Sequence, residues 1–185
     1  MDKRKIVFVF LLSAVACSAC NDSPGPAKIA GINGDTLYRS GAARRTPLTL
    51  PDGTEILMDS FSVVRLAAGF NKLNRELFLE GKVLFRVHSA GTKPFIIHSR
   101  ALVTTVLNAD TAIFKVDGYP KSPGEEVDLF AGSLKVIKSY HSDTDNEAVI
   151  LRSGEMVMIN TDIDLMEKEK LDSTELNARA GTADK

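Results

Sequence analysis

The fold is decided by Leu48-Thr-Leu-Pro-Asp-Gly-Thr-Glu-Ile-Leu57 and, further on, Arg75-Glu-Leu-Phe-Leu-Glu-Gly-Lys-Val-Leu-Phe-Arg-Val87. Two apolar runs meet at Pro51-Asp52-Gly53, and two more meet at Glu80-Gly81-Lys82. The Asp52 side chain can hydrogen-bond within its own turn, and Gly53 can adopt a positive φ without a steric cost. The pattern therefore predicts short strands that fold back on their neighbours through tight turns.

The same pattern recurs towards the C-terminus. Pro94 precedes an apolar run, as a proline that begins a strand or lies at a sheet edge does. Three further apolar runs are Phe95–Ile97, Leu102–Leu107 and Ala112–Val116. Two pairs of runs then flank a glycine: Val127–Phe130 and Leu134–Ile137 lie around Gly132, and Ala148–Leu151 and Met156–Ile159 lie around Gly154. Many short strands at such spacing predict one all-β domain, either a β-solenoid or a twisted sandwich. Only residues 162–179 show an uneven helical pattern.

Composition excludes several classes of protein. The 185-residue chain has a formal charge of −1 and no tryptophan, and its acidic and basic residues are interspersed. No basic stripe indicates a nucleic-acid surface, and we expect no nucleic-acid partner. Both cysteines, Cys17 and Cys20, lie near the N-terminus, so residues 21–185 can form neither a disulfide framework nor a thiolate metal site.

The N-terminus has the pattern of a secretory signal peptide. A basic segment, Lys3-Arg4-Lys5, precedes the uncharged apolar segment Ile6–Ala16, which is shorter than the roughly 20 residues of a membrane span. Ala14-Val15-Ala16-Cys17 resembles the end of a bacterial lipoprotein signal, with Cys17 as the lipidated residue and Cys20 as the alternative. An ordinary cleaved signal without lipid is a further alternative. Several acyl chains on one cysteine would hold the protein at a membrane.

These observations predict four segments. Residues 1–20 form the signal peptide with its lipoprotein-like cysteine, and residues 21–42 form a linker rich in proline and glycine. Residues 43–160 form the all-β domain, and residues 161–185 form a polar tail that is helical or disordered.

Four motifs resemble the FecR-like domain of bacterial iron-siderophore signalling, and they cover about Ala43 to Asn160. The first two are the turn and the glycine-centred stretch quoted above, with Leu50, Pro51, Asp52, Gly53, Gly81 and Phe85 at the family positions. The third is Lys93-Pro94-Phe95-Ile96-Ile97-His98, and the fourth is Leu151-Arg152-Ser153-Gly154-Glu155. We treat these as structural motif residues. The family's central Gly-Thr-x-Phe-x-Val motif lacks its glycine here, where the chain reads Asn108-Ala-Asp-Thr-Ala-Ile-Phe-Lys-Val116.

The resemblance implies an extracytoplasmic sensor or interaction module in cell-envelope signalling, which acts by protein–protein contact. Typical members begin with a cytoplasmic segment that holds a sigma factor, whereas the leader of this chain predicts export. The implied partner is a signalling regulator or an outer-membrane transporter in a Gram-negative envelope. The implied location is the periplasmic face of a membrane, with the lipid as anchor. The outer membrane is favoured by the sorting rule of enteric lipoproteins, in which an aspartate directly after the lipidated cysteine keeps the protein at the inner membrane. No aspartate follows either cysteine here.

No residue is predicted to be catalytic, and no cofactor or metal is expected. His88, His98 and His141 are the three histidines, and no acid stands near them at the spacing of zinc ligands. Residues 143–147 resemble the start of a calcium loop but lack its glycine and its bidentate acid. Two alternatives stay open: a module that binds an envelope polysaccharide or polymer, and a metal-dependent hydrolase in which His88 and His98 converge.

The charged residues of the glycine-centred stretch are expected to lie on an outer face as cross-strand pairs; they are Arg75, Glu76, Glu80 and Lys82. Phe78 and Leu84 interrupt the alternation of apolar and polar residues. Either both faces of the stretch are buried, which the continuous apolar runs favour, or one face binds a partner.

Overall fold

The computed structural model describes residues 25–31, 33–42, 45–88, 93–107, 111–172 and 174. The predicted signal peptide and both cysteines lie outside the described residues. Fourteen strands form within them. These strands are β1 (Ala27–Ala30), β2 (Thr36–Arg39), β3 (Thr46–Thr49), β4 (Glu55–Met58), β5 (Val63–Leu66), β6 (Arg75–His88), β7 (Phe95–His98), β8 (Leu102–Val106), β9 (Thr111–Gly118), β10 (Gly124–Ala131), β11 (Ser133–Lys138), β12 (Val149–Arg152), β13 (Glu155–Asn160) and β14 (Leu165–Lys170).

The strands form two sheets that share β6. The first sheet has the order β12-β11-β8-β7-β6-β5-β2-β1, and the second has the order β3-β4-β6-β9-β10-β13-β14. Neighbouring strands are antiparallel except for β6 and β7, which are parallel. The all-β prediction is confirmed, and the two sheets enclose a common apolar core.

Strand β6 carries the chain from one sheet to the other. Its residues up to Glu80 pair in the first sheet, and those from Gly81 onward pair in the second. The strand bends so far around the core that Arg75 at its start donates a hydrogen bond to the carbonyl of His88 at its end, at 3.1 Å. Strand β7 then returns to the first sheet beside the start of β6. The segment from β6 to β7 is thus one coil around the core.

The predicted tight turn at Gly81 is therefore wrong. Gly81 has a φ of 105° and lies inside one continuous strand, at the corner where that strand changes sheets. The same correction applies at Gly132, between β10 of the second sheet and β11 of the first, and at Gly154, between β12 and β13. In contrast, the turn at Pro51-Asp52-Gly53 does join a true hairpin, because β3 and β4 pair directly.

Two further predictions need correction. The predicted linker, residues 21–42, contains β1 and β2, which form the end of the first sheet. The predicted helical pattern of residues 162–179 is wrong over Leu165–Lys170, which is β14 and pairs with β13. Cross-strand pairing with β13 outweighs the weak local helical preference of this segment, as tertiary contacts commonly do. Residues 175–185 lie outside the described residues.

Several motif residues lie in the core. Phe85 and Phe95 are buried with ring centroids 6.2 Å apart, and Phe114 stacks on Phe85 at 5.2 Å. Leu50 is also buried. These contacts join the two sheets, because Phe95 lies on β7 and the other two phenylalanines lie on strand residues of the second sheet. The motifs that carry the family resemblance therefore contribute to the interior.

Candidate functional site

The outer face of the first sheet carries one continuous cross-strand row. Residues directly opposite each other on paired strands have side chains on the same face. The strand registers place one residue from each of seven neighbouring strands in this row, which we call the outer row: Ile29, Leu37, Arg65, Phe78, His98, Val103 and Ile137. Each member is exposed or half-buried. The row is mostly apolar, although an outer sheet face is commonly polar.

The centre of the outer row is a three-layer stack. The Arg65 guanidinium lies 3.9 Å from the centroid of the Phe78 ring. On the other side, Phe78 and His98 stack with centroids 4.9 Å apart and an interplanar angle of 21°. Guanidinium and imidazole groups on a phenyl ring make an amphipathic surface that offers both apolar contact and hydrogen-bond donors. Such side chains are enriched at the centres of protein interfaces.

Acidic side chains lie near the two polar ends of the stack. Asp35 Oδ2 lies 3.6 Å from Arg65 Nη1, and Glu76 Oε2 lies 3.5 Å from His98 Nε2. Both contacts are partly exposed, so each contributes no more than about 1 kcal/mol to stability. The Asp35 contact can help to hold the guanidinium against the ring, whereas His98 Nε2 is buried and makes no hydrogen bond with the described residues.

A groove of about 400 Å³ runs beside the stack. Its far wall is formed by Arg100 and by the segment after β9, including Pro120. The carboxylate of Glu125, which is buried, fixes this wall: it accepts hydrogen bonds from Ser99 Oγ at 2.6 Å and from the Ala101 amide at 3.0 Å. The groove is thus a preformed concavity on the same face as the outer row.

The outer face of the second sheet carries paired charges beside a groove of about 350 Å³ that is lined in part by Leu57 and Leu84. Lys82 Nζ lies 2.7 Å from Asp117 Oδ2, and Lys115 pairs with Asp128. Burial lowers the pKa of Lys82, but the hydrogen bond and charge of Asp117 outweigh that effect and raise it overall. Charges that already satisfy each other across strands have little left to offer a partner. The feature that favours the first sheet as the interaction surface is its Arg65–Phe78–His98 stack.

The structure places the predicted site residues in two groups. Most motif residues lie in the core or at corners, although Pro51, Gly53 and Pro94 are exposed. Phe78 and Leu84, in contrast, are half-buried on outer faces. Burial of both faces, which the apolar runs favoured, is therefore wrong for these two side chains. Sequence reasoning missed the outer row, because its members come from seven strands whose registers are set by the fold.

Arg75 also departs from its prediction. It was expected on an outer face, but it is buried, and its Nε donates to Asp52 Oδ2 at 2.8 Å while its Nη2 lies 2.7 Å from the same oxygen. Thr54 donates to Asp52 through both its amide and its hydroxyl, at 3.1 and 2.9 Å. The family turn is thus tied to the start of β6 by a buried ion pair. Asp52 has a structural task beyond its turn.

The histidines do not converge. His98 belongs to the stack, whereas His88 Nδ1 lies 3.4 Å from Thr111 Oγ1 on β9 of the second sheet. Among the described residues, no group of three or more His, Cys, Asp or Glu side chains could hold a metal ion. In the loop that resembled a calcium site, Asp145 and Asn146 accept hydrogen bonds from the amides of Glu147 and Ser142, so they act as turn caps.

A second polar cluster was also missed by sequence reasoning. Asp164, at a positive φ of 52°, accepts hydrogen bonds from Ser142, Lys138, Tyr140 and Thr144. These bonds lower the pKa of Asp164 well below its usual range. Partial burial and the bond to Asp164 raise the pKa of Tyr140 to about 12. The cluster fastens the loop after β11 to the turn before β14, and its donors and acceptors satisfy one another.

Within the part of the chain that the structure describes, no helix is long and apolar enough to cross a membrane.

The fold and the site define a two-sheet, all-β domain whose most distinctive surface is an apolar sheet face. The model of the FecR protein family matches residues 36–135, which is more than half of the chain. The chain belongs to the FecR family.

Solved structures share this fold. Two crystal structures of a protein from Parabacteroides distasonis ATCC 8503, proposed to be an anti-sigma factor, match with TM-scores of 0.66 and 0.65, both at 24% identity. They cover 78% and 77% of this chain, and this chain covers 63% of theirs. The similarity shows a common fold over about two thirds of those longer proteins. No curated protein matches the chain.

Proposed function

We propose that this chain is an exported, lipid-anchored signalling module of the cell envelope that binds a protein partner through the outer row. The observation that carries the proposal is the Arg65–Phe78–His98 stack at the centre of an apolar sheet face. Membership of the FecR family supports a role in signalling. The two crystal structures that match the chain are of one protein that is proposed to be an anti-sigma factor, a name that denotes a protein acting on a sigma factor.

The chemistry of the face suits a protein partner better than a polysaccharide. Sugar rings commonly pack on exposed aromatic rings, and the described part of the outer row offers a single phenyl ring, Phe78. Aliphatic side chains around a stacked guanidinium are typical of the desolvated centre of a protein interface. We propose a signalling regulator or an outer-membrane transporter as the partner.

Site-specific photocrosslinking tests the proposal. A photoreactive amino acid at position 78 should capture a defined envelope protein in living cells, whereas one at position 84 should not, because Leu84 lies on the outer face of the second sheet. Phe78→Ala should lower co-purification of that partner by about tenfold or more, as truncation of an interface centre commonly does. Leu84→Ala is the matched control.

The opposite results would overturn the proposal. They are equal capture from positions 78 and 84, or unchanged partner recovery with Phe78→Ala. Retention of the chain on envelope polysaccharide that depends on Phe78 would favour the polymer-binding alternative.

The anchor needs its own test. Mass spectrometry of the mature protein should find acyl chains on Cys17, and Cys17→Ser should release the chain from the membrane while Cys20→Ser leaves it bound. The reverse pattern would assign Cys20, and an unmodified mature N-terminus would exclude the anchor.

A further inference from the structure

Of the strands that the structure describes, four end the two sheets: β1, β3, β12 and β14. The free side of such a strand presents N–H and C=O groups that can pair with another chain, and proteins usually block it. The four edges of this domain differ in how well they are blocked.

The edge of β3 is blocked by a proline. The Leu50 amide donates to the Thr54 carbonyl at 2.8 Å, so Leu48 and Thr46, at even spacing from Leu50, also face β4. The backbone hydrogen-bonding groups of Pro47 and Thr49 therefore point away from β4, towards the free side of β3. Because proline has no N–H, an added strand would find no donor at residue 47.

The edge of β12 is covered by side chains. Lys168 Nζ donates to the Ile150 carbonyl at 3.1 Å, and the Arg152 amide donates to Glu155 Oε2 at 2.8 Å. The edge of β14 is protected in another way, because Glu167–Lys170 alternates acidic and basic residues along it.

Among the residues that the structure describes, none of these devices protects the edge of β1. All four of its residues are exposed. The Gly31 amide donates to the Asp35 carbonyl at 2.9 Å, so Ile29 and Ala27, at even spacing from Gly31, face β2. Lys28 and Ala30 consequently direct their N–H and C=O groups outward. Among the described strands, β1 is the edge that is open to pairing.

We propose that β1 pairs in antiparallel register with β1 of a second copy of this chain. With Lys28 opposite Ala30 of the other copy, the outward groups of both residues form two closely spaced hydrogen-bonded pairs. The two copies of Ile29 then face each other across the two-fold axis, about 4.5 Å apart at Cα. Ile29 is 51% exposed in the single chain, so this contact covers an apolar side chain.

Charge selects this register. The Lys28 ammonium lies over the Tyr38 ring, 5.9 Å from its centroid, on the face opposite Ile29. In the proposed register each Lys28 stands opposite an alanine. A register with Lys28 opposite Lys28 would also satisfy the backbone, but it places like charges directly across from each other, which is destabilising. A register with Ala30 opposite Ala30 avoids that repulsion but pairs only the last residue of each β1 strand with the other. The register with Lys28 opposite Ala30 is thus the one that combines the longest pairing with no like charges in contact.

The pairing joins the first sheets of two copies into one sheet. Their outer rows meet at Ile29 and form a continuous surface with two Arg65–Phe78–His98 stacks related by the two-fold axis. Four residues from each copy form a contact well below the standard interface size, so the dimer is weak and reversible. If the chain is anchored to a membrane as proposed above, tethering would raise the effective concentration and favour pairing.

Disulfide trapping tests the pairing. Both variants are made in the full chain with Cys17→Ser and Cys20→Ser. Under mild oxidation, Ile29→Cys should crosslink to its own copy at least about tenfold more than Lys28→Cys does. In the proposed register the two copies of residue 28 are diagonal neighbours about 7–8 Å apart, which is too far for a disulfide. Adding Ala30→Pro should abolish the Ile29→Cys crosslink without a change in the urea midpoint, because the Ala30 N–H faces away from β2.

The alternatives give distinct results. Equal crosslinking of Ile29→Cys and Lys28→Cys, or crosslinking that survives Ala30→Pro, would overturn the proposal. So would the absence of any dimer at high protein concentration, or in cells a disulfide that joins the Ile29→Cys variant to a different protein. The test does not use Phe78, so its failure would leave the proposed partner surface standing, and the reverse also holds.

Discussion

The ion pair between Asp52 and Arg75 links two distant parts of the chain in the interior of this domain. Both side chains are buried, with 2.7 Å between Arg75 Nη2 and Asp52 Oδ2. Removing one partner of a buried pair leaves the other charge buried without compensation, and this strongly destabilises the fold. The loss is much larger than the stability that the intact pair adds over two apolar residues in its place. The pair also fixes register, because it ties the β3–β4 turn to the first residue of β6.

Asp52→Asn should lower the free energy of unfolding by about 3–5 kcal/mol, because the Arg75 guanidinium stays buried without its counter-charge. The measurement is equilibrium urea unfolding followed by circular dichroism. The control is Glu55→Gln on the same hairpin, since Glu55 makes an exposed contact of 3.6 Å with Arg86. That change should cost less than about 1 kcal/mol. Similar losses in the two variants would contradict the assignment.

Asp164 makes stability depend on pH at the acid end. Its pKa is lowered in the folded state by hydrogen bonds from Ser142, Lys138 and Tyr140. A group with a depressed folded pKa stabilises the fold above its unfolded pKa, near 3.9 for an aspartate, and this contribution is lost as the pH falls toward the folded value.

The urea midpoint of the wild-type protein should therefore be higher than that of Asp164→Asn at neutral pH. The difference between the two midpoints, called the gap below, should narrow as the pH falls below about 4. Asparagine tolerates the positive φ of this position, so the variant removes the charge and keeps the backbone. A series of urea unfolding curves from pH 7 to pH 3 measures the gap. A gap that stays constant over this range would show that the carboxylate charge is not responsible.

At the scale of elements, the corner of β6 depends on the contact between Gly81 and Ser62. A Cβ at Gly81 would lie 2.5 Å from Ser62 Oγ and 2.8 Å from Ser62 Cα. Ser62 Oγ accepts a hydrogen bond from the Lys82 amide at 2.9 Å and lies 3.0 Å from the Lys82 carbonyl oxygen, to which it can donate. The serine thus takes up backbone groups at the point where the strand changes sheets, and there is no room for a side chain.

Gly81→Ala should destabilise the domain by about 2–5 kcal/mol, as backbone strain at positive φ adds to the clash with Ser62. Gly154→Ala is the matched control, because Gly154 also has a positive φ, of 80°, but nothing lies within 4 Å of its added Cβ. Only the strain of about 1–2 kcal/mol is expected there. Thermal and urea unfolding of both variants measure the difference. Equal losses would exclude the close approach as the cause.

The β6 corner also shows how far sequence patterns determine this fold. Apolar residues stand at every second position on both sides of Gly81, and that pattern is the same for a hairpin and for one strand that bends at a glycine. Local sequence therefore predicts the all-β class, most strand positions between Leu48 and Ile159, and the hairpin at Asp52, but it misses β1, β2 and β14. It cannot distinguish a turn from a corner, because the difference lies in which distant strands pair on each side.

The same reasoning applies to the candidate surface. Consecutive apolar residues, such as Val63-Val64 and Ile96-Ile97, show that both faces of a strand are apolar. They do not show which face is inside. The registers of six strand pairs bring the outer row together, and Phe78 meets His98 only because β7 returns parallel to β6.

At the scale of the whole molecule, the two sheets are closed along one side by contacts between β12 and the β13–β14 pair. Lys168 on β14 bonds to the Ile150 carbonyl and lies 2.9 Å from Glu155 Oε2, which also accepts the Arg152 amide. The hydrogen bonds from Lys168 and from Arg152 lower the pKa of Glu155. Side chains thus take the place of a partner strand along the free side of β12.

Lys168→Ala should open this side. The direct loss of stability is no more than about 1 kcal/mol, because Lys168 is partly exposed. The larger effect is on association between copies of the protein. The free side of β12 would present the Ile150 carbonyl next to the Ile150 side chain, which is 42% exposed. We expect faster exchange of the Arg152 amide and faster aggregation in light scattering under mild heating. Lys170→Ala, on the same edge strand, is the control. If both variants aggregate at the same rate, general loss of surface charge, and not the opening of β12, is the cause.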